Sequence, residues 1–382
     1  MLKKLTYIFC FFLTALSFRS FAQQASADQD IQEIMQKYSA VGAAVAVVRD
    51  GELIYRNSFG YKDLDNKVPL TENDIFRIAS ISKSFSATSI MQLVEAGKLS
   101  LNDDFSNLVG FKIRNPNFPD VVITLKMLLS HTSSLNDSQG YFNLDAVNPE
   151  KNTDWAKCYN NYRPGTKYEY CNLNFNLIGA VIEKKSGQRF DQYVKKHILD
   201  PLQLNAGYCV DSLDSARFVK LYEYKSSDKS YTEAKAAYAP RREEIKNYIL
   251  GYSTPVFSPT GGMKISAVDL AKYMMMHMNY GESGDGKRII SKKHAKLMQT
   301  KITDDEGYGL ALRSVDDLVT GINLKGHTGS AYGLYSTMFF SPKEKYGFVI
   351  ITNGCNPTYT GGYCDFSRAT INALYNRFIK EK

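Results

Sequence analysis

The sequence predicts an α+β fold: an antiparallel sheet of about five strands flanked by helices, with an inserted, mostly helical lobe. Three observations carry this. Near the N-terminus a small and β-branched run, Val41 to Val48, meets the turn Asp50-Gly51, and Leu53 to Phe59 returns, which is a hairpin signal. Near the C-terminus Tyr308 to Leu312, Ile322 to Gly326, Tyr335 to Phe340 and Phe348 to Thr352 read as strands, with Pro342-Lys343-Glu344-Lys345 turning between the last two. Between these β-rich ends, helical periodicity and loops prevail. Hairpin connections make the sheet antiparallel.

In chain order, Met1 to roughly Ala22 reads as a secretory signal peptide, with Lys3 and Lys4 before an apolar core and Ser20-Phe21-Ala22 at the cleavage site. The mature chain is then expected in the periplasm or outside the cell. Ile31, Ile34, Met35 and Tyr38 form a short helical pattern before the hairpin. Phe85, Ile90, Leu93 and Val94 mark a helix stopped by Gly97. Thr124 to Leu129, Phe175 to Lys185 (stopped by Gly187), Asp191 to Ile198 and the Met-rich Asp269 to Met278 read as further helices. A closing amphipathic helix runs from Phe366 to Ile379, with Ile371, Leu374 and Phe378 on one face. The expected division is a leader, 1–22, and one domain, 23–382. Within it an α/β lobe (about 23–78 and 255–382) faces a helical lobe (about 79–254), with a cleft between them.

Composition narrows the function. Of a net charge of +8, Lys3, Lys4 and Arg19 leave with the leader, and the remaining +5 is unclustered. No nucleic-acid footprint is present, and no second apolar stretch is long enough to cross a membrane. The expected partner is a small-molecule or peptide substrate. Neither cofactor nor metal is expected, since none of the five histidines has ligand spacing with Cys, Asp or Glu. Cys158, Cys171, Cys209, Cys355 and Cys364 lie beyond the leader. In an oxidising compartment Cys355 and Cys364 are near enough to pair across a Gly-rich loop.

The chemistry centres on Ser80-Ile81-Ser82-Lys83. On a helix, residues i and i+3 share a face, so a hydroxyl lies beside an amine at the positive end of the dipole. That is a candidate activated nucleophile. The bland reading of Ser80 is an N-cap. A second copy of the spacing, Ser226-Ser227-Asp228-Lys229, sits in a polar stretch without helical pattern and reads as chance. Two further segments fit a base and a substrate-binding strand: Tyr170-Cys171-Asn172 between a Pro-Gly turn and a helix, and His327-Thr328-Gly329-Ser330 after a β run. Glycine at 329 allows close backbone approach. Alone, Tyr170 reads equally as a core-edge tyrosine and His327 as a solvated strand histidine. The Tyr-x-Asn spacing recurs at Tyr55, Tyr141 and Tyr159, and Lys185-Ser186-Gly187 reads as a helix C-cap.

Together, Phe76 to Phe85, Pro164 to Gly179 and His327 to Gly333 resemble the serine β-lactamase and penicillin-binding superfamily, nearest the branch of class C β-lactamases, DD-peptidases and related esterases. Leu128 to Leu135 and Thr260-Gly261-Gly262-Met263 resemble it too. The resemblance implies that Ser80 is the acylated nucleophile and that Lys83 takes or holds its proton. Tyr170 becomes general base toward Ser80 and general acid toward the leaving group, its anion favoured by Lys83. Asn172 binds the substrate's acyl side chain. The strand His327, Thr328, Gly329 and Ser330 binds substrate, with the N–H groups of Ser80 and Ser330 as oxyanion hole. The expected activity is a serine hydrolase of the DD-peptidase or D-aminopeptidase type, or an esterase. The alternatives are a weak class C-like β-lactamase or a non-catalytic penicillin-binding sensor. Three departures bear on substrate. His327 stands where efficient β-lactamases carry lysine, Cys171 where serine is usual, and Ser134 where glycine is usual.

Overall fold

The computed structural model describes residues 22–380. The leader expected over residues 1–22 therefore lies outside the described residues, apart from Ala22, which begins a helix over residues 22–37. Among the described residues the main sheet has seven strands. Their order is Val68–Pro69, Glu52–Asp63, Gly42–Arg49, Tyr346–Thr352, Leu334–Ser341, Leu324–Ala331 and Arg313–Val315. Each neighbouring pair is antiparallel. The N-terminal hairpin turns at Asp50 (φ 53°) and Gly51 (φ 85°), the two left-handed residues that a tight hairpin turn requires. The two short edge strands account for the excess over the five expected.

The strand Gly42–Arg49 pairs with both the hairpin return and Tyr346–Thr352, joining the two ends of the chain. Its small and β-branched residues are buried on both faces, as a central strand covered by helices demands. On one face Ala43, Val45, Val47, Phe348 and Ile350 pack against Ala27 and Ile31 of the first helix and Phe366, Ile371, Leu374 and Phe378 of the last. On the other face Ala44, Ala46, Val48, Val349 and Ile351 belong to a continuous cluster. That cluster runs through Leu270 and Met274 of the helix Ala267–Met278 into the helices of the middle of the chain. Period-two alternation places successive residues of one strand in these two clusters.

Two helices build the site: Ser82–Glu95, and Asn172–Ser186, which ends at left-handed Gly187 (φ 70°). Both are buried nearly all round, so neither shows a clean apolar stripe. In Ser82–Glu95 the hydroxyls of Thr88 and Ser89 return to backbone carbonyls of their own helix, and that of Ser84 to Ile81 O just before it, which lets polar residues sit in the core.

One expected strand is absent. Tyr308 to Leu312 is buried but is not a strand; Leu310 N–H bonds Met298 O and Ala311 N–H bonds Leu129 O, so helix ends rather than a sheet take its donors. The polar stretch holding Ser226–Lys229 is the turn of a small hairpin, Tyr222–Lys225 with Ser230–Glu233. Its Ser-x-x-Lys spacing therefore lies in a turn, away from any helix. The Asp191 to Ile198 region begins as the helix Phe190–Val194 and widens into a π-turn over Lys195–Leu199.

Candidate active site

Ser80 lies in a 3₁₀ turn, Ala79–Ile81, that leads directly into the helix Ser82–Glu95. Ala79 before it holds a left-handed φ of 46°, a strained backbone for a residue with a Cβ. The turn is pinned from the sheet: Ser336 Oγ donates to Ile78 O at 2.8 Å. The strand Leu324–Ala331 presses against it at Gly329. A Cβ there would stand 2.3 Å from Ile78 O and 3.1 Å from Ser80 N. Glycine is therefore required at 329 for the strand to lie alongside the Ser80 N–H. Ser330, next along, is exposed.

Lys83 is fully buried. Its Nζ donates to Ser80 Oγ at 3.1 Å, Asn172 Oδ1 at 2.8 Å and Thr260 O at 3.0 Å. Among the described residues no carboxylate forms an ion pair with it. Burial therefore dominates and brings its pKa down to about 7, against smaller opposing pulls from Asp137 and the Cys171 thiol. An amine that titrates near neutrality beside a hydroxyl is a proton acceptor in working range.

Tyr170 reaches the same point. Its ring lies 4.7 Å from Lys83 Nζ, centroid to atom. Its buried hydroxyl has Ser80 as the polar neighbour that favours its anion, yet no partner stands at hydrogen-bond geometry to it. The two hydroxyls are adjacent but unbonded. Burial outweighs Ser80, and the phenol's pKa is raised. This corrects the expectation that Lys83 favours the phenolate: the desolvation cost is the larger effect, and Tyr170 is held protonated.

Asn172 is committed to organising the amine. Its Oδ1 accepts from Lys83 and from Thr260 Oγ1 at 2.9 Å, and its Nδ2 donates to Asp137 Oδ2 at 2.9 Å. One amide N–H remains for a ligand. Asp137 also accepts from the N–H groups of Asn172 and Leu173, each at 2.9 Å, and so caps the first turn of the helix Asn172–Ser186 from a distant loop. The Cys171 thiol approaches the same carboxylate at 3.3 Å. Asp137 carries no local sequence signal, and the family-like segment Thr260-Gly261-Gly262-Met263 does not by itself tie Thr260 to Lys83.

His131 is the other residue that the sequence pattern left unassigned. Its carbonyl accepts from Glu169 N–H at 2.9 Å and its Nδ1 from Cys171 N–H at 3.2 Å, so it grips the backbone on both sides of Tyr170. Its ring packs on that of Tyr170 with centroids 4.4 Å apart. Its backbone is left-handed (φ 57°), as is that of Ser134 (φ 64°). A left-handed position explains why glycine suits position 134; here the Ser134 hydroxyl accepts from Asn115 Nδ2 at 2.9 Å.

His327 is buried, not solvated. Its Nδ1 lies 2.5 Å from Thr328 O, so that nitrogen carries the proton, and its Nε2 accepts from the Tyr308 hydroxyl at 3.0 Å. Burial, aided by Lys83, brings its pKa down to about 3. With both ring nitrogens engaged, His327 is neutral and offers no cation to a ligand. Thr328 and Ser330 remain accessible along the strand. Among the described residues no cluster of His, Cys, Asp and Glu is arranged to hold a metal, and no helix is long and apolar enough to cross a membrane.

Fold and site together define a β-lactamase-fold serine hydrolase. The chain belongs to the Beta-lactamase family, whose model matches residues 27–368. It is similar to Protein flp of Staphylococcus aureus (strain MW2), with 27% identity over 348 residues, covering 86% of this chain and 63% of that protein. Penicillin-binding protein 4 of Amycolatopsis lactamdurans is 26% identical over 349 residues, covering 87% of this chain and 85% of that one. The chain thus spans under two thirds of the staphylococcal relatives. Among solved structures, the octameric penicillin-binding protein homologue from Pyrococcus abyssi superposes with a TM-score of 0.72 at 27% identity, covering 92% of this chain and 77% of that chain. The D-amino acid amidase of Ochrobactrum anthropi SV3 gives 0.70 at 20% identity, covering 92% of this chain and 99% of that chain, a likeness of fold.

Proposed function

We propose that the protein hydrolyses amide or ester bonds through an acyl-enzyme on Ser80, acting beyond the cytoplasmic membrane as a D-amino-acid or D-alanyl peptidase or amidase, or as an esterase. The observation that carries this reading is the Lys83 amine, buried, bonded to Ser80 Oγ at 3.1 Å and titrating near 7. Neutral Lys83 takes the Ser80 proton as the hydroxyl attacks the carbonyl carbon. The N–H groups of Ser80 and Ser330 receive the oxyanion, and Gly329 permits their approach. Tyr170, kept protonated by burial, passes a proton to the leaving group and recovers one through Lys83. Water then attacks the acyl carbon as neutral Lys83 takes its proton, and the bond to Ser80 Oγ breaks as Lys83 returns that proton to the serine oxygen.

Neutral His327 disfavours the β-lactamase alternative, since a β-lactam carboxylate gains little from an imidazole with both nitrogens occupied. The D-amino acid amidase neighbour supports the amide reading, and the amino-terminal leader supports the location. The cleft lies between the segments 23–78 with 255–382 and the segment 79–254. The test compares a D-amino acid amide, a D-Ala-D-Ala peptide, p-nitrophenyl butyrate and nitrocefin, with Ser80→Ala as control. Turnover of an amide or ester that vanishes in Ser80→Ala is expected. Permanent labelling of Ser80 by penicillin without turnover of any substrate would make the protein a sensor, and turnover surviving Ser80→Ala would remove the mechanism.

A further inference from the structure

The geometry points to a covalent modification outside the catalytic residues: a disulfide between Cys355 and Cys364. Both residues are buried in the smaller hydrophobic cluster, and their sulfur atoms lie 3.8 Å apart. Small rotations about the two Cα–Cβ bonds are enough to bring sulfurs at that separation to bonding distance. The backbone is already fixed to present them. Cys355 follows Gly354, whose carbonyl accepts from Val41 N–H at 2.9 Å. Cys364 ends a miniature hairpin, Tyr359–Thr360 with Tyr363–Cys364, turned by left-handed Gly361 and Gly362. It also precedes the helix Asp365–Tyr375, whose first N–H groups face its sulfur. Cys158, Cys171 and Cys209 have no cysteine neighbour at contact distance among the described residues, so no competing pair is formed.

The neighbouring Cys355 thiol, and after it the first N–H groups of the following helix, favour thiolate at Cys364 against burial, which makes it the attacking sulfur. It displaces one sulfur of an incoming disulfide, of the glutathione or protein-disulfide class, giving a mixed disulfide and one released thiolate. Cys355, losing its proton to solvent, then attacks Cys364 Sγ and expels the second thiolate. Two thiols are oxidised, one external disulfide is reduced to two thiols, and the two protons released end on those thiols.

The link closes the loop of residues 355–364, which packs with the first and last helices in the smaller cluster. Tyr359 of the loop donates to the Tyr335 hydroxyl at 3.3 Å, and Tyr335 pairs across the sheet with Ser330. The disulfide thus fastens that loop to the sheet without touching Ser80 or Lys83.

The purified full chain, incubated with oxidised glutathione and then denatured and alkylated, reports the bond directly. Against the reduced and fully alkylated chain, a mass lower by two alkyl adducts plus about 2 Da is expected, with a peptide pair linking residues 355 and 364 and the other cysteines alkylated. Reduction should lower Tm by on the order of 5 °C, and the double variant Cys355→Ala, Cys364→Ala should lose that dependence on reductant. Two free thiols at 355 and 364 in excess oxidised glutathione, stable mixed disulfides there, or a link to another cysteine overturns the assignment. These readouts are masses and melting points, so they stand apart from whether the protein proves to be a hydrolase.

Discussion

On the proposed mechanism Lys83 sets the pH at which this site works, and its titration can be read directly from rate. With a pKa of about 7, the amine is about 9% neutral at pH 6, half neutral at pH 7 and about 91% neutral at pH 8. The acid limb of kcat/KM on a hydrolysed ester or amide should therefore rise about tenfold from pH 6 to pH 8 with an apparent pKa near 7. Asp137 supplies the controlled perturbation. Its carboxylate reaches Lys83 through the Asn172 amide, by hydrogen bonds of 2.9 and 2.8 Å. That relay separates the two charges by roughly 7 Å. At an effective dielectric of about 20 the attraction is about 2 kcal/mol, or between one and two pH units. Asp137→Asn removes a negative charge that favours the protonated amine, so the limb should move to lower pH by that amount. Rates below pH 6 should then rise relative to the plateau. Stopped or continuous assays across pH 5 to 9 on both proteins settle the matter. An acid limb near the ordinary lysine value, a flat profile between pH 6 and 8, or a limb that moves upward in Asp137→Asn would refute the reasoning.

Other outcomes follow from the same geometry. Tyr170→Phe should reduce kcat/KM by about 10²–10⁴ while leaving Tm unchanged or higher, because the lost hydroxyl has no hydrogen-bond partner; a large drop in Tm would contradict this. Gly329→Ala places a Cβ 2.3 Å from Ile78 O, and should cost about 1–3 kcal/mol of stability and a roughly hundredfold loss in kcat as the strand backs away from Ser80. Urea titration and steady-state kinetics check both. His277 and His327, each buried with a pKa of about 3, bind a proton unfolded but not folded below the free-imidazole value near 6.5. Stability should fall as pH drops from about 6.5 toward 3, by about 2 kcal/mol per histidine at pH 5, and His131 adds in the same direction. Urea unfolding at pH 7.5 and 5 measures it, and a flat profile would show that these rings take up protons while folded.

The sequence by itself determined the hairpin, since Asp50-Gly51 between two β-rich runs leaves the chain few other turns. It determined the helix behind Ser80 and the Gly187 stop, because these are local consequences of side-chain spacing and backbone freedom. It also marked Ser80, Lys83, Tyr170 and Gly329, whose residue types announce their chemistry. The tertiary structure alone decided how those residues behave. Asp137 and Thr260 reach Lys83 from remote loops, and His131 clamps Tyr170 across a gap in sequence that carries no periodic signal. Charge states were likewise not legible, because they depend on how completely water is excluded. Desolvation brings Lys83 down to about 7, keeps Tyr170 protonated and leaves His327 neutral. Spacing names the groups, whereas burial, which only the folded chain defines, fixes which of them carries the proton.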